Sequence, residues 1–324
     1  MRKSSRLALI LISSVIAATP VLAAEPPAPD QLVDALNGVF GQHHARAVHA
    51  KGIILEGSFT PSATASRISK APHLQTTAVP VVVRFSNFAG VPGIADNDPL
   101  ASPHGMAIKF KLPDGSETDL VTHSFNGFPS ASPADFRDLL VALGHSGPNA
   151  AKPTPLDTYL ASHPTAKAFL TAPKPAPESF ATLPYFGVNT FKFTSAAGQT
   201  IFGRYQLQPV AGARYLSDDS AARMQPDYLI AEIRQRAAKQ AVAFRLLLQL
   251  AGAGDKLDDP SIAWPDSRET AELGTLSLTR IVADDAADKS LLFLPNALPT
   301  GIEAADPTIE ARGEAYPVSF GRRQ

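Results

Sequence analysis

Arg46-Ala47-Val48-His49-Ala50-Lys51-Gly52 opens a stretch, residues 47–59, whose composition predicts a β-strand. A second segment, Val83-Arg84-Phe85-Ser86-Asn87-Phe88, lies in another predicted strand. A third, Arg312-Gly313-Glu314-Ala315-Tyr316, lies in a short helix that we expect to start at Asp306-Pro307 and to stop near Pro317. Each segment joins an arginine to a side chain that can hold or transfer a proton. These three segments contain the candidate catalytic and ligand-binding residues.

Taken in this order, the three segments resemble the haem catalases. R-x-V-H-A-x-G is similar to the catalase segment with the distal histidine, and V-R-F-S to the strand that supports that histidine and holds a haem propionate. R-x-x-x-Y resembles the proximal helix whose tyrosine binds the iron. The resemblance continues through residues 104–110 (HGMAIKF), 119–121 and 296–303, and so covers most of residues 40–324. The short chain looks closest to the small catalase-related peroxidases.

The resemblance makes Tyr316 the iron ligand and Arg312 its partner. Residues four apart share one face of a helix. A guanidinium beside a phenol favours the phenolate, and an anionic oxygen ligand stabilises ferric and higher-valent iron. The chain has no cysteine, which excludes thiolate sites and covalent haem attachment through a C-x-x-C-H motif. All eight histidines precede residue 164, so tyrosine is the natural ligand late in the chain.

On the other side of the haem, the resemblance assigns His49 the transfer of a proton between the two peroxide oxygens. An imidazole suits this task because its pKa ordinarily lies near the operating pH. Ser86 would orient the imidazole ring through a hydrogen bond. Arg46 and Arg84 would bind the haem propionates, and Arg323, seven residues after Tyr316, is a third candidate for that role.

The distal asparagine of catalases has no clear counterpart. A gapless comparison puts Ser124 in its place, and Asn126 lies two residues further on. We prefer Asn126 as the residue that helps to hold peroxide, although Asn126-Gly127 also reads as a simple turn. Phe128 and Phe136 are candidates for aromatic contacts with the haem, or else for ordinary core positions.

Residues 1–24 predict a signal peptide, with the basic residues Arg2, Lys3 and Arg6 before an apolar run at residues 7–16. The mature part, residues 25–324, is then one haem-binding domain exported to the periplasm, with no membrane partner. The net charge of −1, without a long charged run, argues against a nucleic-acid partner.

The hydrophobic pattern predicts an α+β fold with an antiparallel sheet or barrel, and the resemblance implies a catalase-like β-barrel with flanking helices around one haem b. Further strands are predicted at residues 79–88, 105–112, 117–122, 188–194, 200–209 and 276–282. Helices are predicted at residues 31–40 and 135–143, and a long one at residues 226–250. Strands therefore dominate the first half of this prediction and helices the second.

The predicted function is a peroxidase that reduces hydrogen peroxide or an organic hydroperoxide at the expense of a small organic electron donor. Weak catalase activity is compatible with the same residues. One alternative is a haem enzyme that rearranges hydroperoxides, similar to the allene oxide synthases. The other is a periplasmic haem carrier without catalysis. The sequence leaves the oligomeric state open.

Overall fold

An antiparallel β-barrel lies at the centre of the structure. The computed structural model describes residues 26–282 and 285–324; the predicted signal peptide, residues 1–24, lies outside them. The strands in the described ranges are β1 (Gly52–Pro61), β2 (Val79–Ser86), β3 (Gly105–Lys111), β4 (Glu117–His123), β5 (Tyr185–Phe186), β6 (Phe191–Thr194), β7 (Thr200–Pro209), β8 (Val242–Leu250), β9 (Thr270–Val282) and β10 (Ile302–Ala304).

Eight of these strands close into a ring, in the order β7-β5-β4-β3-β2-β1-β9-β8, and β8 pairs again with β7. Strands β6 and β10 extend the sheet beyond β7. Every pairing is antiparallel, so side chains of paired residues point to the same face of the sheet. The closed ring with its flanking helices confirms the predicted α+β barrel fold.

The interior of the barrel is filled with apolar side chains. Val83 and Phe85 on β2 point inward and are fully buried. Met106 and Ile108 on β3 also point inward and are fully buried. An eight-stranded barrel is only wide enough for side chains to fill it. A large ligand therefore has to bind against the outer face, to which Arg84 and the other alternate residues of β2 point.

Helices cover part of that outer face. In the described ranges they are α1 (Pro29–Phe40), α2 (Ala65–Ile68), α3 (Pro133–Gly144), α4 (Pro155–Ser162), α5 (Pro164–Thr171), α6 (Asp218–Ala222), α7 (Tyr228–Ala237), α8 (Asp285–Ser290) and α9 (Thr308–Gly321). Apolar residues of α1, α3 and α9 form a small second core, in which Leu32, Val33 and Ala315 are buried and Phe136 packs against them. None of the helices in the described ranges has the length and apolar character needed to cross a membrane.

The single long helix predicted at residues 226–250 is wrong. Helix α7 ends at Ala237, and β8 follows from Val242. Residues 242–248 alternate with period two, which places Val242, Phe244 and Leu246 in the barrel core. The second half of the chain is therefore not mainly helical, because β8 and β9 supply the two strands that close the ring.

The last helix continues beyond the predicted stop at Pro317, to Gly321. A proline within a helix removes one backbone hydrogen bond. Contacts made after the proline hold the last turn: Ser319 Oγ accepts a hydrogen bond from the Ala47 backbone at 3.2 Å, and Arg323 donates to the Leu291 carbonyl at 2.6 Å.

Candidate functional site

A cavity of about 230 Å³ lies between the outer face of the barrel and helices α1, α3 and α9. His49, Ser86, Tyr316 and four arginines line it together with many apolar side chains. Those apolar residues include Leu32, Val33, Leu36, Val121, Phe128, Phe136, Phe169 and Phe293. The cavity thus brings residues of all three sequence segments to one mainly apolar space.

The predicted pair of His49 and Ser86 is present. Ser86 Oγ lies 3.0 Å from His49 Nδ1, so one ring nitrogen is engaged. Gly105 makes room for the pair: a Cβ atom at this position would lie 2.6 Å from Ser86 Oγ and 2.7 Å from His49 Nδ1. Gly105 is paired directly with Ser86 in the sheet, so the imidazole lies where β3 has no side chain.

The backbone of His49 adopts an unusual conformation, with a φ of +59°. Non-glycine residues rarely occupy this left-handed region, and they do so mostly at sites held by their surroundings. Here the His49 N–H donates to the Phe88 carbonyl at 2.7 Å, and Arg84 Nη1 donates to the His49 carbonyl at 2.8 Å. The predicted strand 47–59 therefore starts only at Gly52, and His49 lies in the segment before it.

The His49 ring is uncharged near neutral pH. Burial, followed by the positive charge of Arg84 and that of a protonated His123, lowers its pKa to about 3. The expectation of an imidazole that titrates near the operating pH does not hold for this buried ring. A neutral ring still has one nitrogen that can accept a proton and one that can donate.

Tyr316 and Arg312 form the predicted pair on α9. Arg312 donates to the phenol oxygen from Nη2 at 2.9 Å and from Nε at 3.2 Å. Its Nη1 donates to Asn189 Oδ1, and Asn189 Nδ2 donates in turn to Asp306 Oδ2 at 2.8 Å. Asn189, which the sequence analysis missed, thereby fixes the guanidinium against the start of the helix.

Two arginines bind one carboxylate and a third lies beside them, in a group that we call the arginine cluster: Arg46, Arg84, Arg323 and Asp288. Arg84 binds Asp288 from Nε at 2.7 Å and from Nη2 at 3.1 Å, and Arg46 Nη1 binds it at 2.8 Å. Arg323 lies next to Arg46, since both side chains donate to the Leu291 carbonyl. Burial and the Arg84 charge lower the pKa values of Arg46 and Arg323. Asp288 was not predicted.

The lining fits a haem. The cavity is mainly apolar, as a porphyrin ring requires, and Tyr316 supplies an oxygen ligand beside a guanidinium. In the arginine cluster, Arg46 and Arg84 share the Asp288 carboxylate and Arg323 lies beside them, so the cluster itself carries an excess of two positive charges. Two propionates would balance that excess. Tyr316 would therefore bind the iron, and Arg46, Arg84 and Arg323 would hold the propionates.

The two predicted aromatic residues, Phe128 and Phe136, line the cavity with their ring centroids 5.0 Å apart. Among the described residues, Asn126 and Ser124 are not part of the lining. Ser124 instead continues the backbone contacts of the β3–β4 hairpin, since its N–H donates to the His104 carbonyl at 2.8 Å. The polar side chain that reaches the cavity from the end of β4 is His123.

Sequence reasoning ended this strand at Thr122 and gave His123 no role. The signal that could have found it is alternation along β4. Val121 and His123 share one face of the strand, and both line the cavity. Pairing of β3 with β4 puts His123 directly opposite Gly105, beside the His49 ring.

The comparisons with known proteins agree with this geometry. A model of the catalase family matches residues 42–323. The chain is 37% identical over 301 residues to a catalase-related peroxidase of Mycolicibacterium paratuberculosis, covering 91% of this chain and 94% of that protein. It is 31% identical to a catalase-related peroxidase of Synechococcus elongatus, covering 97% and 94%.

Full-length catalases are more distant. The catalase of Sus scrofa is 26% identical over 297 residues, a match that covers 86% of this chain but only 56% of that protein. Membership of the family implies a haem cofactor and an oxidoreductase that acts on peroxide. The chain belongs to the catalase family and, within it, to the catalase-related peroxidases.

Proposed function

We propose that the protein is a haem-dependent peroxidase that reduces hydrogen peroxide or organic hydroperoxides and oxidises a small organic donor. The observation that carries the proposal is the presence of two hydrogen-bonded pairs on one cavity. His49 is paired with Ser86, and Tyr316 with Arg312. A carrier of haem would need the second pair but has no use for a buried, oriented imidazole.

On the distal side, Ser86 holds His49 Nδ1, which leaves Nε2 as the ring nitrogen able to act on a ligand. The neutral ring can take the proton of a hydroperoxide O–H at Nε2 and return it to the oxygen that leaves. The products are two waters from hydrogen peroxide, or an alcohol and water from an organic hydroperoxide, once two electrons from the donor and two protons have been taken up. Phe88 packs edge-on against the imidazole, with centroids 5.5 Å apart, and keeps the ring plane fixed.

On the proximal side, Arg312 stabilises negative charge on the Tyr316 oxygen through two N–H donors. A bound haem would supply the electrons that break the peroxide O–O bond. We propose haem b, since a chain without cysteine has no thiol for covalent attachment. The arginine cluster would fix the propionate edge of the ring.

We also propose that residues 1–24 direct export and that the periplasm is the site of action. The support is the sequence pattern of a short basic segment, an apolar run and Val21-Leu22-Ala23 as a cleavage motif. Fractionation of cells that express the full chain, with mass determination of the exported form, tests this proposal.

Peroxide consumption by the haem-loaded protein tests the activity. It is to be followed with hydrogen peroxide and with cumene hydroperoxide, each with and without a phenolic donor. We expect consumption to depend on the donor, with two one-electron oxidations per peroxide. His49→Gln should lower the rate by about 100-fold or more, with haem content unchanged. The exposed His43 is the matched control, and His43→Gln should retain the rate.

Three results would contradict the proposal. Conversion of the hydroperoxide to an isomer without donor would indicate a rearranging enzyme. Release of oxygen from hydrogen peroxide as the main reaction would indicate a catalase. Transfer of haem to apomyoglobin without peroxide consumption would indicate a carrier.

A further inference from the structure

His123 is the last residue of β4 and lies in a row of paired residues that crosses three strands. Ser86 on β2 pairs with Gly105 on β3, and Gly105 pairs with His123 on β4. Directly paired residues point to the same face of a sheet. Ser86 and His123 therefore flank Gly105 on the cavity side, and the His49 ring lies over the glycine between them.

Both ring nitrogens of His123 are buried without a hydrogen-bond partner in the described part of the chain. Among residues 26–282 and 285–324, neither Nδ1 nor Nε2 has a protein group within bonding distance. Buried polar groups are nearly always paired, since an unpaired donor or acceptor loses its contact with water. Ser86 engages the neighbouring His49, and Asn87 engages His104, at 3.0 Å in both cases. Of these three imidazoles, only that of His123 has both nitrogens without a protein partner among the described residues, and its residue lines the cavity.

We infer that His123 is a second distal imidazole, which binds the hydroperoxide by a hydrogen bond while His49 handles its proton. This inference rests on the proposed function and assigns to His123 the peroxide-holding role expected of Asn126. The placement supports it, because His123 lines the cavity and Asn126 does not.

The charge state of His123 suits this role. Burial, and then the positive charges of Arg312 and Lys174, lower its pKa to about 3. A neutral imidazole has one N–H donor and one acceptor nitrogen, so it can bind an O–OH group from either side. It also adds no positive charge beside His49, so His49 stays free to accept a proton.

Azide binding to the haem-loaded protein at neutral pH, followed by absorbance, measures the hydrogen bond apart from turnover. His123→Leu should weaken azide binding by about tenfold or more, the usual range for loss of one good hydrogen bond. The spectrum without azide and the thermal midpoint of the haem-free protein should stay near those of the wild type, because the replaced imidazole had no partner to lose. Asn126→Ala is the matched comparison and should leave azide affinity unchanged.

Peroxide kinetics give a second measurement. His123→Leu should raise KM for hydrogen peroxide by about tenfold and change kcat less, as expected for loss of a binding contact. His123→Asn restores an N–H donor and should recover part of the azide affinity. If His123→Leu takes up no haem, His123→Phe is to be judged by the same criterion.

Unchanged azide affinity and KM in the leucine variant would overturn the inference. So would a loss of affinity in Asn126→Ala alone, or a His123→Asn variant that binds azide no better than His123→Leu. These results differ from failure of the proposed function. In that case the wild-type protein would reduce no peroxide, and azide binding would still depend on His123.

Discussion

Arg312 donates two hydrogen bonds to the phenol oxygen of Tyr316, at 2.9 Å from Nη2 and 3.2 Å from Nε. The two residues are one helical turn apart, and the third arm of the guanidinium is held by Asn189. The Arg312 guanidinium thus donates to the oxygen that would bind iron and also anchors α9 through Asn189. The R-x-x-x-Y spacing matters because it lets two N–H groups of one guanidinium donate to the same phenol oxygen.

Arg312→Lys should lower the rate of peroxide consumption by about 10- to 100-fold, because an ammonium cannot supply the same planar fork of donors. Haem content should stay near that of the wild type, since Tyr316 remains. The measurement is steady-state peroxide consumption by the haem-loaded variant. Arg322→Lys is the control, because Arg322 forms an exposed ion pair with Asp34 and should change the rate less than twofold. Equal rates for Arg312→Lys and the wild type would contradict the role of the fork.

Gly105→Ala should separate His49 from Ser86. The added Cβ would lie 2.6 Å from Ser86 Oγ and 2.7 Å from His49 Nδ1, which is closer than real contacts allow. We expect peroxide consumption to fall by about 100-fold with haem binding retained, since the distal base loses its orientation. Gly93→Ala serves as control, because a Cβ there meets no atom of the described residues within 4 Å. A Gly105→Ala enzyme of wild-type rate would show that the pairing with Ser86 is dispensable.

Asp288→Asn should destabilise the haem-free protein, because Arg46 and Arg84 would lose the carboxylate between them. Asp288 is 27% exposed, so we expect a modest loss of about 1–3 kcal/mol in the free energy of unfolding. Bound haem should reduce the difference, since its propionates supply new anions. Urea unfolding with and without haem measures both values. Asp34→Asn, at an exposed ion pair, should cost less than about 0.5 kcal/mol. An equal loss with and without haem would argue against propionates at the arginine cluster.

The stability of the protein should fall steeply below about pH 6. Burial, as the largest cause, lowers the pKa of His49, His104 and His123 to about 3 and that of His73 to about 4. Between these values and pH 6.5, the unfolded chain binds protons that the folded chain does not. The free energy of unfolding therefore decreases as the pH falls below 6.5. Each such histidine contributes up to about 1.4 kcal/mol per pH unit.

His73 tests this account away from the cavity. Its ring packs against Phe110 with centroids 4.8 Å apart, and Nδ1 has no partner among the described residues. His73→Phe should flatten the pH dependence of the free energy of unfolding between pH 5 and 6 by about one proton. His44→Asn, at an exposed position, should leave that dependence unchanged. Equal slopes for His73→Phe and the wild type would mean that His73 is already protonated in the folded protein.

Local patterns predicted the elements whose signals are contained in a few neighbouring residues. The strand at residues 200–209 has the bounds that its alternation predicts, and Ser132 caps α3 by accepting the Asp135 N–H at 3.1 Å. The pairing of His49 with Ser86 was also predicted, since the resemblance assigns the two residues to one task. The orientation of the His49 backbone was not, because its left-handed φ is set by Arg84 and Phe88.

The predictions from sequence fail for residues whose structure depends on contacts with distant parts of the chain. Residues 242–250 form a strand because β7 and β9 lie on either side of it, whereas the local pattern also fits a helix. Alternation along β4 could have placed His123 on the cavity side, but its position beside His49 depends on the register of β3 and β4. Asp288 is 204 residues from Arg84 in the sequence, and nothing in its neighbourhood indicates the contact.

We propose that Tyr316 binds the iron of a haem in this cavity. The absorption spectrum of the purified protein, recorded beside that of Tyr316→Phe, tests it most directly. We expect a ferric high-spin spectrum with a phenolate ligand in the wild type, and a loss of haem or a changed spectrum in the variant. A wild-type protein that takes up no haem, or a Tyr316→Phe variant with the wild-type spectrum, would contradict the claim.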